Sequence, residues 1–247
     1  MSEIAAIIGG TGVYDLGRDL RDETVTTPYG KVTVERDDTL VFLNRHAPGH
    51  SVPPHKVNYR ANIKALELLG VKRVCATFAV GAINPEFELG VPVILSDFLD
   101  MTSGREHTFY DEIKAGKGHV DVSKPFAGFL SDALEQAAAG QGLPVRRGGV
   151  YVATNGPRFE SPAEIRAYQR LGGDVVGMTL CPELPLALEA GMAYAGFAYA
   201  INWGAGMTDV IELVDVGVET IKVKMLASMV DALEKTSDEQ VEAAPII

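Results

Sequence analysis

Asn155-Gly156-Pro157-Arg158-Phe159-Glu160, together with Asn202 at the end of Ala200-Ile201-Asn202, forms the part of this chain best suited to recognising a flat heterocycle. Between them lies Val176-Gly177-Met178-Thr179. An ionised carboxylate only accepts hydrogen bonds, whereas a carboxamide donates and accepts. Glu160 and Asn202 as a pair therefore suit a 6-oxopurine: the carboxylate takes N1–H, and the amide serves O6 and N7 together. Phe159 offers a ring to pack on the base, Met178 a thioether and Thr179 a hydroxyl. Each has a plainer reading. Met178 lies in an apolar run and reads equally as core. Glu160 precedes a helix start, but Ser161 and Glu164 already supply that cap, which frees Glu160 for a ligand. Asn202 closes an apolar strand, where a polar side chain needs a partner.

A second group suits an anion. Gly9-Gly10-Thr11-Gly12 follows the first apolar run, and such a loop can present backbone N–H groups and a hydroxyl to phosphate, or simply be a turn requiring positive φ. Arg45-His46 follows a strand candidate, and an arginine fork matches phosphate oxygens in pairs; a surface Arg and a loop His is the alternative. All five histidines fall between His46 and His119. His46, His50 and His55 do not read as a metal site. Pro48-Gly49 and Pro53-Pro54 forbid a helix that would align them, no Cys or carboxylate stands among them, and Arg45 repels a cation. Asn58 and Tyr59 either reach a site or cap and pack the helix that follows.

These groups must be held by alternating strands and helices. Ile4–Ile8 reads as a buried strand, Lys31–Glu35 and Thr39–Leu43 as a hairpin around Asp37-Asp38, and Val57–Leu69 as a helix stopped by Gly70. Arg73–Val80 and Val91–Leu95 are strand candidates expected to run parallel. Pro125–Ala139 is a helix, Gly149–Thr154 a strand, and Ser161-Pro162-Ala163-Glu164 a helix start with Ser at the cap, Pro at the first position and Glu closing a capping box. Asp174–Met178 and Gly196–Ile201 are strands, Pro182–Ala190 and Val214–Leu233 helices, and the final dozen residues read as a frayed tail. The expected fold is α/β: one domain over residues 1–247, with a mostly parallel, mixed central sheet flanked by helices. Open sheets of this kind carry their sites at the strand ends, where the residues above fall.

Composition narrows the function classes. Of 247 residues, 47% are hydrophobic, enough for a full core. The net charge of −11, with no Lys/Arg run, argues against nucleic acid and acidic membranes as partners. No stretch has a signal peptide's layout or a membrane span's length, and Cys75 and Cys181 sit in apolar runs as buried free thiols, so a cytoplasmic location is expected. A nicotinamide oxidoreductase would need Gly-x-Gly-x-x-Gly and a later acidic residue, a spacing that Gly9–Gly12 does not supply. A nucleoside-binding protein without turnover remains a second class.

On Gly9–Gly12, Arg45-His46, Lys56–Asn62, Ala79-Val80-Gly81, Thr102–His107, Gly156–Glu160, Gly177–Thr179 and Asn202, the chain resembles the trimeric purine nucleoside phosphorylases of the methylthioadenosine phosphorylase branch over nearly its whole length. The resemblance implies phosphate held by Thr11, Arg45, His46, the backbone at Ala79, and Thr179. It implies Phe159 against the base, Met178 along the ribose, and a homotrimer in which His119 of one subunit reaches the neighbour's nucleoside. Adenine-specific members resemble this chain but carry Ser and Asp where Glu160 and Asn202 stand. The Glu160/Asn202 pair therefore points to a 6-oxopurine, with these two as the catalytic residues. Phosphorylases of ordinary nucleosides carry a His about where Val216 falls; Val214 and Val216 would instead line an apolar 5′ pocket. The implied reaction is phosphorolysis of a 6-oxopurine nucleoside, foremost S-methyl-5′-thioinosine, to hypoxanthine and 5-methylthioribose 1-phosphate. Phosphorolysis of methylthioadenosine, or of inosine and guanosine, are the alternatives. Purine nucleoside and inorganic phosphate are the expected partners, with no metal or organic cofactor.

Overall fold

The computed structural model describes residues 3–13, 16–47, 51–112, 118–213 and 218–247, the last of these without the Val218 side chain. Among these residues nine strands form one sheet: β1 (Ala5–Gly9), β2 (Arg21–Thr27), β3 (Gly30–Arg36), β4 (Leu40–Asn44), β5 (Arg73–Ala82), β6 (Pro92–Asp100), β7 (Arg146–Ala153), β8 (Val175–Gly177) and β9 (Ala193–Trp203). Among the described residues five α-helices accompany them: α1 (Tyr59–Leu68), α2 (Gly128–Gly140), α3 (Pro162–Arg170), α4 (Leu180–Glu189) and α5 (Val218–Glu234). None of the described helices is long and apolar enough to cross a membrane.

The strand order is β2-β3-β4-β1-β5-β8-β7-β6-β9, with β9 pairing back onto β5, so the last five strands close into a ring and β5 is shared with the open part. Alternation along β1 divides the core. Ala6 and Ile8 face the cluster packed by α1 and α4, and Ala5 and Ile7 face the one packed by α2 and α5. The glycine-closed helix, the capping box at Ser161 and the two buried free thiols all occur as the sequence leads one to expect. Burial pushes the Cys75 thiol up to about 12 and the Cys181 thiol higher still.

Three expectations are corrected. β5 and β6 do not run parallel: β9 is parallel to β5, and β6 lies antiparallel to β9. The connection over residues 83–91 carries no helix and is too short for a crossover, so the chain reverses. β2 has no counterpart in the sequence reading, because Arg21-Asp22-Glu23-Thr24 is an exposed polar edge whose pairing to β3 is set by backbone hydrogen bonds rather than by apolar alternation. The tail is not frayed. Arg73 binds Asp238 (Nε to Oδ1, 2.7 Å) and the Thr236 carbonyl, and Ile247 exchanges backbone hydrogen bonds with His119.

β1, β4, β5 and β9 run parallel, so Gly9, Asn44, Val80 and Asn202 arrive at one edge of the sheet. β8 enters from the opposite direction and turns there at Gly177. That edge carries the candidate site.

Candidate functional site

A cleft of about 570 Å³ opens at this edge, within the range typical of small-molecule sites. Its walls bring together Thr11, Arg45, His46, Ala79, Phe159, Glu160, Met178, Thr179 and Asn202, nine of the residues singled out in the sequence. They come from the ends of five strands, β1, β4, β5, β8 and β9, and from the loop between β7 and α3. Two close approaches hold the walls in place. Gly156 has φ +59°, and a Cβ there would sit 2.3 Å from Met178 Sδ. A Cβ on Gly177 would meet the Tyr151 hydroxyl at 2.1 Å, the hydroxyl that accepts from the Thr179 backbone N–H at 3.2 Å.

One end of the cleft is built around Arg45. Its side chain is fully buried, and its fork grips Glu183: Nε to Oε2 at 2.6 Å and Nη2 to Oε1 at 2.8 Å. Nη1 donates to the Thr77 carbonyl at 2.9 Å, and the guanidinium lies 4.6 Å from the Phe78 ring centre. Tyr194 donates its hydroxyl to Glu183 Oε1 at 2.6 Å. Burial opposes the charge on Arg45, but the adjoining Glu183 carboxylate outweighs it and leaves the guanidinium even harder to deprotonate than usual. Burial and the same carboxylate push Tyr194 well above an ordinary phenol. The bidentate fork expected to meet phosphate is therefore turned on a protein carboxylate. Two of its five N–H bonds go to Glu183 and a third to the Thr77 carbonyl.

Beside it, His46 Nδ1 lies 2.8 Å from the Val52 carbonyl, which can only accept, so Nδ1 carries the proton. The Gly9–Gly12 loop is a tight turn in which Val13 N–H donates to the Gly10 carbonyl. The Gly10 N–H is bound to Thr77 Oγ1 at 2.8 Å, and the Thr11 carbonyl accepts from Tyr199 at 2.6 Å. Asn58 and Tyr59 serve structure: Asn58 caps α1 through Ala61 N–H, and the Tyr59 hydroxyl donates to the Pro54 carbonyl at 2.9 Å.

The other end carries Glu160 and Asn202, both buried. Thr154 donates its hydroxyl to Glu160 Oε1 at 2.7 Å. Asn202 Nδ2 donates one hydrogen to the Trp203 carbonyl at 2.8 Å, leaving its second N–H and its carbonyl oxygen for the cleft. Phe159 is 51% exposed, a free face at the mouth. The cap of α3 is made by Ser161 and Glu164, as expected, so Glu160 takes no part in it. The hydrogen bond from Arg158, aided by the Ser161 N–H, holds the Glu164 carboxyl down at about 2.

His119 is exposed and does not line this cleft. Val214 and Val216 lie outside the described residues; Leu213, just before them, is on the cleft wall. Sequence reasoning missed Glu183, Thr154 and Arg105. Glu183 had a signal: a lone carboxylate amid Leu180-Cys181-Pro182 and Leu184-Pro185-Leu186 requires a buried cation.

The family model described as the phosphorylase superfamily matches residues 4–233, and the chain belongs to that family. It is 47% identical to the 6-oxopurine nucleoside phosphorylase of Pyrococcus furiosus over 93% of each chain. It is 50% identical to a probable S-methyl-5′-thioinosine phosphorylase of Methanopyrus kandleri, over 85% of this chain and 82% of the relative. Among solved structures it is similar to the methylthioadenosine phosphorylase of Schistosoma mansoni in complex with tubercidin, with a TM-score of 0.86 and 33% identity over 94% of this chain and 91% of that one.

Proposed function

We propose that this chain is a 6-oxopurine nucleoside phosphorylase, with S-methyl-5′-thioinosine as its foremost substrate. The observation that carries the reading is Glu160, an acceptor held by Thr154, across from the free N–H and carbonyl of Asn202 at one end of a single cleft whose other end holds Arg45, His46, Thr11 and Thr179. The similarity to 6-oxopurine and methylthioinosine phosphorylases supports it independently.

In this reading the purine lies between Phe159 and the Glu160/Asn202 pair. As the N-glycosidic bond loosens, the sugar gains oxocarbenium character and negative charge moves onto the base. Glu160 holds N1–H while Asn202 serves N7 and O6. Phosphate, held by Arg45, His46, Thr11, Thr179 and the backbone at Ala79, attacks C1′ from the opposite face and gives the pentose 1-phosphate. The base departs and no enzyme-bound covalent intermediate forms, so positioning and electrostatic stabilisation carry the rate without metal or cofactor. Met178 lies along the ribose, and Val214 and Val216 take the 5′ substituent.

We also propose one catalytic domain per chain, a cytoplasmic location, and a homotrimer in which His119 completes a neighbour's site. Support for the last is that His119 is exposed, is not among the residues lining its own cleft and is tied by its backbone to Ile247.

The test is base release from methylthioinosine, inosine, guanosine and methylthioadenosine, with and without phosphate. Phosphate-dependent turnover with methylthioinosine first is expected. Release without phosphate, or preference for the adenine nucleoside, overturns the reading; binding without release makes the chain a receptor.

A further inference from the structure

Glu160 does not stand alone in the cleft wall: its carboxylate accepts a hydrogen bond from Thr154 Oγ1 at 2.7 Å, both groups being buried. We infer that Thr154 is a positioning residue for base choice, holding Glu160 as an oriented acceptor so that its second oxygen meets the N1–H of a 6-oxopurine. The inference rests on the proposed function.

The hydroxyl has one proton and two acceptors nearby, Glu160 Oε1 and, at 3.4 Å, the Gly177 carbonyl. That carbonyl already accepts from the Thr154 backbone N–H at 2.8 Å, so the proton belongs to Glu160. A donor on Oε1 fixes the plane of the carboxylate's two oxygens and leaves Oε2 to accept from a ligand.

The donor itself is fixed. Thr154 follows directly on β7, and its β-branched side chain has few rotamers. Its carbonyl and that of Asn155 accept from Arg105 Nη2 at 3.3 and 2.9 Å, while Arg105 Nη1 reaches the Cys181 carbonyl at 2.5 Å. Asn155 in turn binds Ser103, donating from Nδ2 to its carbonyl at 3.1 Å and accepting from its N–H at 3.2 Å. The Ser103–Arg105 segment is thus a clip that joins the start of the base loop to the start of α4, next to Thr179.

The test compares wild type with Thr154→Val, which keeps the shape and removes the donor, and Thr154→Ser, which keeps the donor. Each is assayed on methylthioinosine and methylthioadenosine at saturating phosphate, with melting temperatures recorded. Thr154→Val is expected to lower kcat/KM for methylthioinosine by roughly ten- to a hundredfold, the range for losing a hydrogen bond to a charged group, and to narrow the preference over methylthioadenosine. The KM for phosphate should stay unchanged, and Thr154→Ser should remain within about threefold of wild type. In a Glu160→Ala background the valine change should have almost no further effect, because Thr154 then has nothing to orient. Should the valine variant melt early, hypoxanthine binding by Thr154→Ser and Thr154→Ala decides, the serine protein binding tightly and the alanine protein weakly. Equal losses in the serine and valine variants, or additive losses with Glu160→Ala, overturn the inference while leaving the function intact. A wild type that prefers methylthioadenosine overturns both.

Discussion

Arg45 reaches Glu183 across 138 positions of sequence, whereas Glu160 meets Thr154 only six positions away. The first pair is sealed: both side chains are fully buried, and Tyr194, Thr77 and Phe78 enclose them. The second sits in a short loop between β7 and α3, beside a half-exposed phenylalanine. A buried cation without its counter-ion is costly, so the Arg45 end of the cleft must be completed by folding itself. The base end is assembled from a loop braced by hydrogen bonds and can vary its side chains with little effect on the core.

The largest test of that contrast is Glu183→Gln. It removes the carboxylate charge that Arg45 needs and leaves a buried, uncompensated guanidinium, so it should cost about 3–5 kcal/mol of stability. Denaturant unfolding measures it, and any folded fraction should show a raised phosphate KM. A loss below about 1 kcal/mol would mean that the anion end tolerates change as well as the base end does.

At the other end, Glu160→Ser and Asn202→Asp should each reduce kcat/KM for a 6-oxopurine nucleoside by about 2–3 kcal/mol in transition-state free energy, with a smaller loss of stability than Glu183→Gln causes. The double change should recover some cleavage of methylthioadenosine, because an acid can then reach N7 and no carboxylate opposes N1. Steady-state kinetics on both nucleosides checks this. Loss of the fold in either single variant would erase the contrast.

Phe159→Ala sharpens the comparison at its gentlest point. The ring is 51% exposed, so its removal leaves the free protein's melting temperature in place. Losing a face for the base should raise the nucleoside KM by roughly tenfold, the scale of one base–aromatic contact. A matching rise in phosphate KM would show that the two ends are coupled.

Most of the site was legible in the sequence because its residues are polar groups placed where apolar strands end. Thr11, Arg45, His46, Glu160, Thr179 and Asn202 stand out as polar groups beside apolar runs, and they share one cleft with Phe159, Met178 and Ala79, the last named only through the family resemblance. The strands and helices were equally legible from their periodicity, and the capping box marked the start of α3 to the residue. Polar β2 escaped, since its hydrogen bonds are made by backbone and leave no side-chain pattern.

Tertiary structure alone decided the rest. That β9 inserts beside β5 and reverses β6 depends on which strand edges remain unpaired once the chain collapses, and local propensity does not encode it. That Arg45 spends its fork on Glu183 follows from burial: once α4 closes over the end of β4, the guanidinium has no water, and the nearest buried carboxylate becomes its partner. The tail's attachment to Arg73 and His119 likewise joins residues far apart in sequence. Residue types and their order specify which groups a site can contain. Which of their hydrogen bonds remain for a ligand is settled only when the packed chain has claimed its own.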